Sequence, residues 1–169
     1  MLVTDYKLFR AISLCVAHKT DMRAALRGML FEPRLGRVTA SNGHRLMSGQ
    51  AVEEENLEPF IWTTQNKLPK SKSPLALFDP ASGILSAGDR RVVGKIGPTD
   101  GFPQYERFIA PEKGDLRISF DARLLADVQE ALKAETCLLV AQDDSSPIHV
   151  RFFGKEGLSF TLMPSRWYQ

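Results

Sequence analysis

The chain has 169 residues, 43% of them apolar and 25% charged, with a formal net charge of +2. That is enough to bury one large core or two small ones, and the near balance of charge excludes a uniformly basic nucleic-acid coat. No apolar run approaches the roughly 20 residues of a membrane-spanning helix, and Asp5, Lys7 and Arg10 break up the amino-terminal stretch, so a cytoplasmic location without a leader is expected.

In chain order, Leu2-Val3-Thr4 reads as a short strand. Asp5 then stands as a cap before Leu8, Phe9, Ile12, Cys15 and Val16, whose helical spacing predicts a helix running to about Lys19. Strands are predicted over Gly28–Glu32, Arg37–Ser41 and Leu46–Val52. A second passage opens on Phe60-Ile61-Trp62, with Thr63 or Thr64 as a possible cap, but Pro69 and Pro74 allow at most a turn or two of helix. Strands follow over Leu75–Phe78, Ile84–Ser86 and Arg91–Ile96, separated by Asp79-Pro80, Ser82-Gly83 and Gly88-Asp89 turns. The third passage repeats the first: Leu116–Phe120 alternates like a strand, Asp121 caps, and Leu124, Leu125, Val128 and Leu132 form an apolar stripe. Cys137–Ala141, Ile148–Phe153 and Leu158–Met163 close the series. The class is α+β with antiparallel sheets, a few helices and about three strand-helix-strand half-units. Two domains are expected, 1–110 and 115–169, divided near Pro111 and Gly114.

Charge is uneven along the chain. Residues 1–49 hold eight Lys or Arg against three acidic groups, an excess that suits a polyanion. Cys15 and Cys137 sit in apolar segments, where a thiol behaves as a small hydrophobe, and no disulfide is expected. His18, His44 and His149 show no metal spacing, and there is no phosphate-loop glycine pattern or nucleophile elbow. Asp143-Asp144 lies in a Ser-rich turn where solvation explains it. Neither catalysis nor a cofactor nor a metal is expected.

Four motifs stand in order: LRGMLFE at Leu26–Glu32, ASNGHRLM at Ala40–Met47, GFPQYERFI at Gly101–Ile109 and FTLMPSR at Phe160–Arg166. Together they resemble the bacterial DNA polymerase III β subunit, the sliding clamp. That family carries a G-x-L-F-E strand, a T-D-G-H-R-L turn, an F-P-D-Y-x-R-V-I exit segment and a V-M-P-M-R end. The match is poorest between Trp62 and Arg90. The resemblance implies a middle-domain-like part joined to the last half of the final domain, in a DNA-clamp fold.

In that family a short extended peptide of a polymerase or repair protein inserts apolar side chains into a cleft. By resemblance the cleft residues would be Leu26, Ser41, Gly43, His44, Arg45 and Leu46, then Pro103, Arg107 and Phe108, then Asp121, Leu124, Ser145, Pro147, Leu162, Met163, Pro164, Ser165 and Arg166. An apolar floor with a few fixed polar groups is the chemistry such a site requires. The same resemblance assigns Lys7, Arg10, Lys19, Arg23, Lys67, Lys70 and Lys72 to contact with the backbone of double-stranded DNA. The expected function is that of a clamp-like replication protein and polymerase processivity factor. The alternative is a monomeric clamp mimic that recruits or sequesters host clamp-binding proteins without encircling DNA.

Overall fold

The computed structural model describes residues 2–52, 54–108, 118–154, 158 and 160–165, with only the backbone of Arg107 and Phe108. It forms two compact units, Met1–Ile109 and Ala110–Gln169. Both belong to the α+β class, and every strand pairing among the described residues is antiparallel.

Unit 1 opens with β1 (Leu2–Asp5) and α1 (Tyr6–Ser13), followed by β2 (Met29–Glu32), β3 (Arg37–Ser41) and β4 (Leu46–Gln50). A second series runs β5 (Phe60–Thr63), β6 (Leu75–Asp79), β7 (Ile84–Ala87) and β8 (Arg90–Val93), with β9 (Lys95–Gly97) after it. The leading strand of each series leaves its own meander and joins the other. β1 pairs with β6, setting Leu2 opposite Phe78 and Thr4 opposite Ala76. β5 pairs with β2, setting Trp62 opposite Met29 and Phe60 opposite Phe31. The results are a four-stranded sheet, β1-β6-β7-β8, and a five-stranded sheet, β4-β3-β2-β5-β9.

The inner faces of both sheets share one core. Met29, Phe31, Val38, Ala40, Phe60 and Trp62 come from the larger sheet, and Leu2, Ala76, Phe78, Leu85, Ala87 and Val92 from the smaller. Alternation along each strand delivers these side chains to one side. Its aromatic heart is Phe31, stacked on Phe60 (4.9 Å) and Phe78 (4.7 Å), with Trp62 edge-on to Phe78. α1 contributes Tyr6, Phe9 and Ile12, spaced to share one helix face.

Asp5 caps α1 by accepting the Leu8 N–H (2.8 Å). The helix ends at Ser13, short of the Lys19 that the periodicity predicts. The N–H groups of Leu14, Cys15 and Val16 bond only three residues back, and the Ala17 N–H goes to Leu26 O (2.8 Å), which draws the chain off the helix axis. Between β5 and β6 no helix forms among the described residues. Thr64 Oγ1 donates to Val93 O and accepts the Asn66 N–H, a turn instead of a cap. The coil beyond it is fastened to α1: the Tyr6 hydroxyl donates to Pro69 O (2.5 Å) and the Tyr6 N–H to Pro74 O (2.8 Å).

The run expected as one strand over Arg91–Ile96 is divided at Gly94, and its two parts lie in different sheets. Gly94 lies against Trp62, whose indole N–H donates to Gly83 O (2.9 Å).

Unit 2 contains α2 (Ala122–Leu132), β10 (Cys137–Val140), β11 (Ile148–Phe152) and β12 (Phe160–Leu162), with sheet order β10-β11-β12. Ala134, Ile148, Val150, Phe152 and Leu162 form its core, and Ile118, Phe120, Leu125, Val128 and Leu132 pack on it. In the run expected as a strand over Leu116–Phe120, Leu116 and Arg117 lie outside the described residues. Ile118–Phe120 has no strand pairing. β12 is also shorter than the Leu158–Met163 expected.

Asp121 caps α2 through the Arg123 N–H (3.0 Å), and hydrogen bonds from the Arg123 side chain and backbone hold its carboxyl at about 2, below the ordinary 3.8. A depressed carboxyl stabilises the fold above its ordinary value and loses that contribution as pH falls through the folded one. Acidification from pH 5 to pH 2 is therefore expected to lower the protection of the Arg123 and Leu124 amides, read by NMR as the exchange rate relative to the intrinsic rate at each pH. Asp121→Asn should flatten that dependence.

Candidate functional site

The hairpin turn between β3 and β4 is held by its own polar groups. Asn42 Oδ1 accepts the N–H groups of His44 and Arg45, each at 3.0 Å, and the Asn42 N–H donates to Arg45 O (3.2 Å). Ser41 Oγ donates to Arg45 O and accepts the Gly43 N–H, both at 3.1 Å. Gly43 has φ +85°, the left-handed region that glycine adopts without steric penalty. Two guanidinium groups brace the turn from outside. Arg23 donates to Asn42 O (3.2 Å), and Arg45 donates to Leu14 O at the end of α1. Arg23 is fixed in turn by Asp21 (2.8 Å), whose carboxyl its hydrogen bonds hold at about 2.

Beyond the turn lies the outer face of the five-stranded sheet, which is apolar here. Leu30, Ile61, Ala25 and Tyr105 are buried on it, and Leu46 and Phe102 are half-buried beside them. Tyr105 is 1% exposed. Its hydroxyl donates to the Glu32 carboxylate and accepts from Arg37 Nη1 (3.3 Å). Burial, together with the hydrogen bond to Glu32, pushes the phenol above its ordinary value, so it stays a donor.

Within unit 1, therefore, Ser41, Gly43, His44 and Arg45 form one braced turn and Leu46 adjoins an apolar patch. Leu26 is interior, 3% exposed, while Pro103 is exposed. The side chains of Arg107 and Phe108 lie outside the described residues. Within unit 2, Ser165 N–H donates to Ser119 O (2.7 Å), two residues before Asp121. Leu162, 2% exposed, belongs to the unit's core; Met163 (67%) and Leu124 (52%) are open. Pro164 is half-buried and Pro147 exposed. Ser145 is tied to Asp143 by its N–H (2.9 Å) and its hydroxyl (2.8 Å). Arg166 lies outside the described residues.

Sequence reasoning missed Phe102. Its signal was the three-residue step to Tyr105, which brings the two rings edge to face at 6.2 Å.

Of the basic residues, Lys7 and Arg10 are exposed on α1. Lys70 and Lys72 follow the coil that Pro69 and Pro74 fasten to that helix, and Ser71 Oγ donates to Ala87 O (3.0 Å). With Arg90 and Asp89 they line a shallow recess. Arg90, which opens β8 directly after the Gly88-Asp89 turn, was not singled out in the sequence. Lys67 is exposed earlier on the coil, while Lys19 and Arg23 belong to the loop after α1. Among the described residues no three His, Cys, Asp or Glu side chains gather as metal ligands, and no helix is long and apolar enough to cross a membrane.

No family model matches the chain, and no curated protein does. Among solved structures it matches the DNA polymerase III β subunit of Thermotoga maritima at 20% identity and a TM-score of 0.43. The match covers 98% of this chain and 65% of that one, so the chain spans about two thirds of that protein's length.

Proposed function

We propose that the chain is a non-catalytic, clamp-like DNA replication module that takes short extended peptides of polymerases and other replication proteins. The observation that carries this reading is the braced β3–β4 turn beside Leu46 and Phe102. It offers fixed backbone next to an apolar surface. The motif resemblance supplies the ligand class, and Met163, open and flexible, is the second surface assigned to the peptide. Burying two or three partner side chains at about 1.5–3 kcal/mol each, less the ordering of the peptide, gives an affinity on the order of micromolar.

A fluorescent clamp-binding peptide is expected to bind in an anisotropy titration. Leu46→Asp and Met163→Asp should each weaken it at least about tenfold by placing a carboxylate on an apolar surface, whereas Lys70→Glu should leave it unchanged. A wild-type chain that ignores the peptide overturns the reading. A contact of Lys7, Arg10, Lys70 and Lys72 with duplex DNA belongs to the same proposal, as a processivity role. Such binding would read phosphate without sequence and fade steeply with salt.

A further inference from the structure

Unit 2 repeats the capped helix and three-stranded meander of the first series of unit 1. Asp121 caps α2 as Asp5 caps α1, and α2 is followed by the meander β10-β11-β12 as α1 is by β2-β3-β4. The correspondence reaches single hydrogen bonds. In unit 1 the Val52 N–H, just after β4, donates to Val3 O (2.8 Å); in unit 2 the Ser165 N–H, just after β12, donates to Ser119 O (2.7 Å). Counted back from the capping aspartates, Ile118 and Phe120 stand where Leu2 and Thr4 stand. Both pack on the unit 2 core, as Leu2 does on its own.

Among the described residues, unit 2 contains no second series to partner this one. In unit 1 the first strand of each meander is flanked by the other series' leading strand, and its core-facing side chains are sealed: Phe31 on β2 and Phe78 on β6 are each 1% exposed. The corresponding edge of β10 is unpaired among the described residues. Leu139 lies opposite Val150, so it faces the core, yet it is 44% exposed.

The free edge and the free strand match in polarity. Phe153 N–H donates to Thr136 O (3.2 Å), and pairing alternates along an antiparallel ladder, so Cys137 and Leu139 turn their N–H and C=O groups to the open side. Val3 gives its C=O to Val52, which leaves Leu2 and Thr4 to bond β6. By the same geometry Ile118 and Phe120 have backbone groups to offer.

We infer that two copies of this chain pair through unit 2, each adding Ile118–Phe120 to the β10 edge of the other about a two-fold axis. Slot and strand belong to the same unit, so the interface is self-complementary and closes at two. The registers of unit 1, Leu2 with Phe78 and Thr4 with Ala76, translate to Ile118 opposite Leu139 and Phe120 opposite Cys137 of the second copy. The inference stands on strand topology and does not depend on peptide or DNA binding.

Sedimentation of the 169-residue chain is expected to give twice the mass of one copy, with Leu139→Asp shifting the dimer dissociation constant upward at least tenfold. The register is tested separately with Phe120→Cys in a Cys15→Ser background, under mild oxidation by oxidised glutathione. A disulfide-linked dimer through native Cys137 is expected, in a pair whose Cα separation of about 5.5 Å permits the bond. Cys15→Ser alone should give none. A monomer at every concentration overturns the inference. So does a dimer in which the introduced thiol forms no bond between chains.

Discussion

Replacing Phe31 with alanine is expected to lower the stability of unit 1 by about 3–5 kcal/mol, the range for emptying an aromatic site in a packed core. The ring is 1% exposed and touches three layers: Phe60 of its own sheet, Phe78 of the opposite sheet and Phe9 of α1 at 5.9 Å. Stacked aromatic pairs add to the buried area they share. Few neighbours can move inward, because each is held by its own strand register. Urea unfolding followed by tryptophan emission measures the loss. A change below about 1 kcal/mol would mean that the two sheets do not meet through this ring.

Gly94→Ala is expected to cost about 2–4 kcal/mol, from overpacking together with a weakened buried hydrogen bond. A Cβ there would lie 2.2 Å from Trp62 Nε1, 2.4 Å from its Cε2 and 2.8 Å from Thr63 O. The indole must shift, and its N–H then loses Gly83 O, the acceptor that it shares with the Gly94 N–H (3.0 Å). The same urea experiment, with a red-shifted native emission, reports it. Gly97→Ala is the control, since nothing lies within 4 Å of the added carbon, and it should stay within about 0.5 kcal/mol of wild type.

What could be read in advance was local. Asp5 and Asp121 announce helix starts because a carboxylate before an apolar stripe has one favourable use, and both do cap. The resemblance of Ala40–Met47 to a T-D-G-H-R-L turn announces the turn in which Ser41, Gly43, His44 and Arg45 meet. Distant partners decided the rest. Periodicity carried α1 to Lys19, but a hydrogen bond from Ala17 to Leu26 ends it earlier. Val92 and Ile96 alternate as one strand would, yet the bulk of Trp62 at Gly94 parts them into two sheets. Leu26 and Leu162, which the resemblance places in the cleft but which taken singly read more readily as core, are 3% and 2% exposed. The exchange of β1 and β5 between meanders left no trace in the sequence, because pairing depends on register between distant segments, Met29 with Trp62 and Leu2 with Phe78, and not on any neighbour in the chain.

That exchange governs when the protein can fold during its own synthesis. Leu2 leaves the ribosome well ahead of Phe78, its partner, which is made 76 residues later. At about 5–20 residues per second this is a wait of roughly 4–15 s, with β1 unpaired and its apolar side chains open to chaperones or to other nascent chains. The first series has no complete sheet of its own to rest in meanwhile, so unit 1 commits to its structure late.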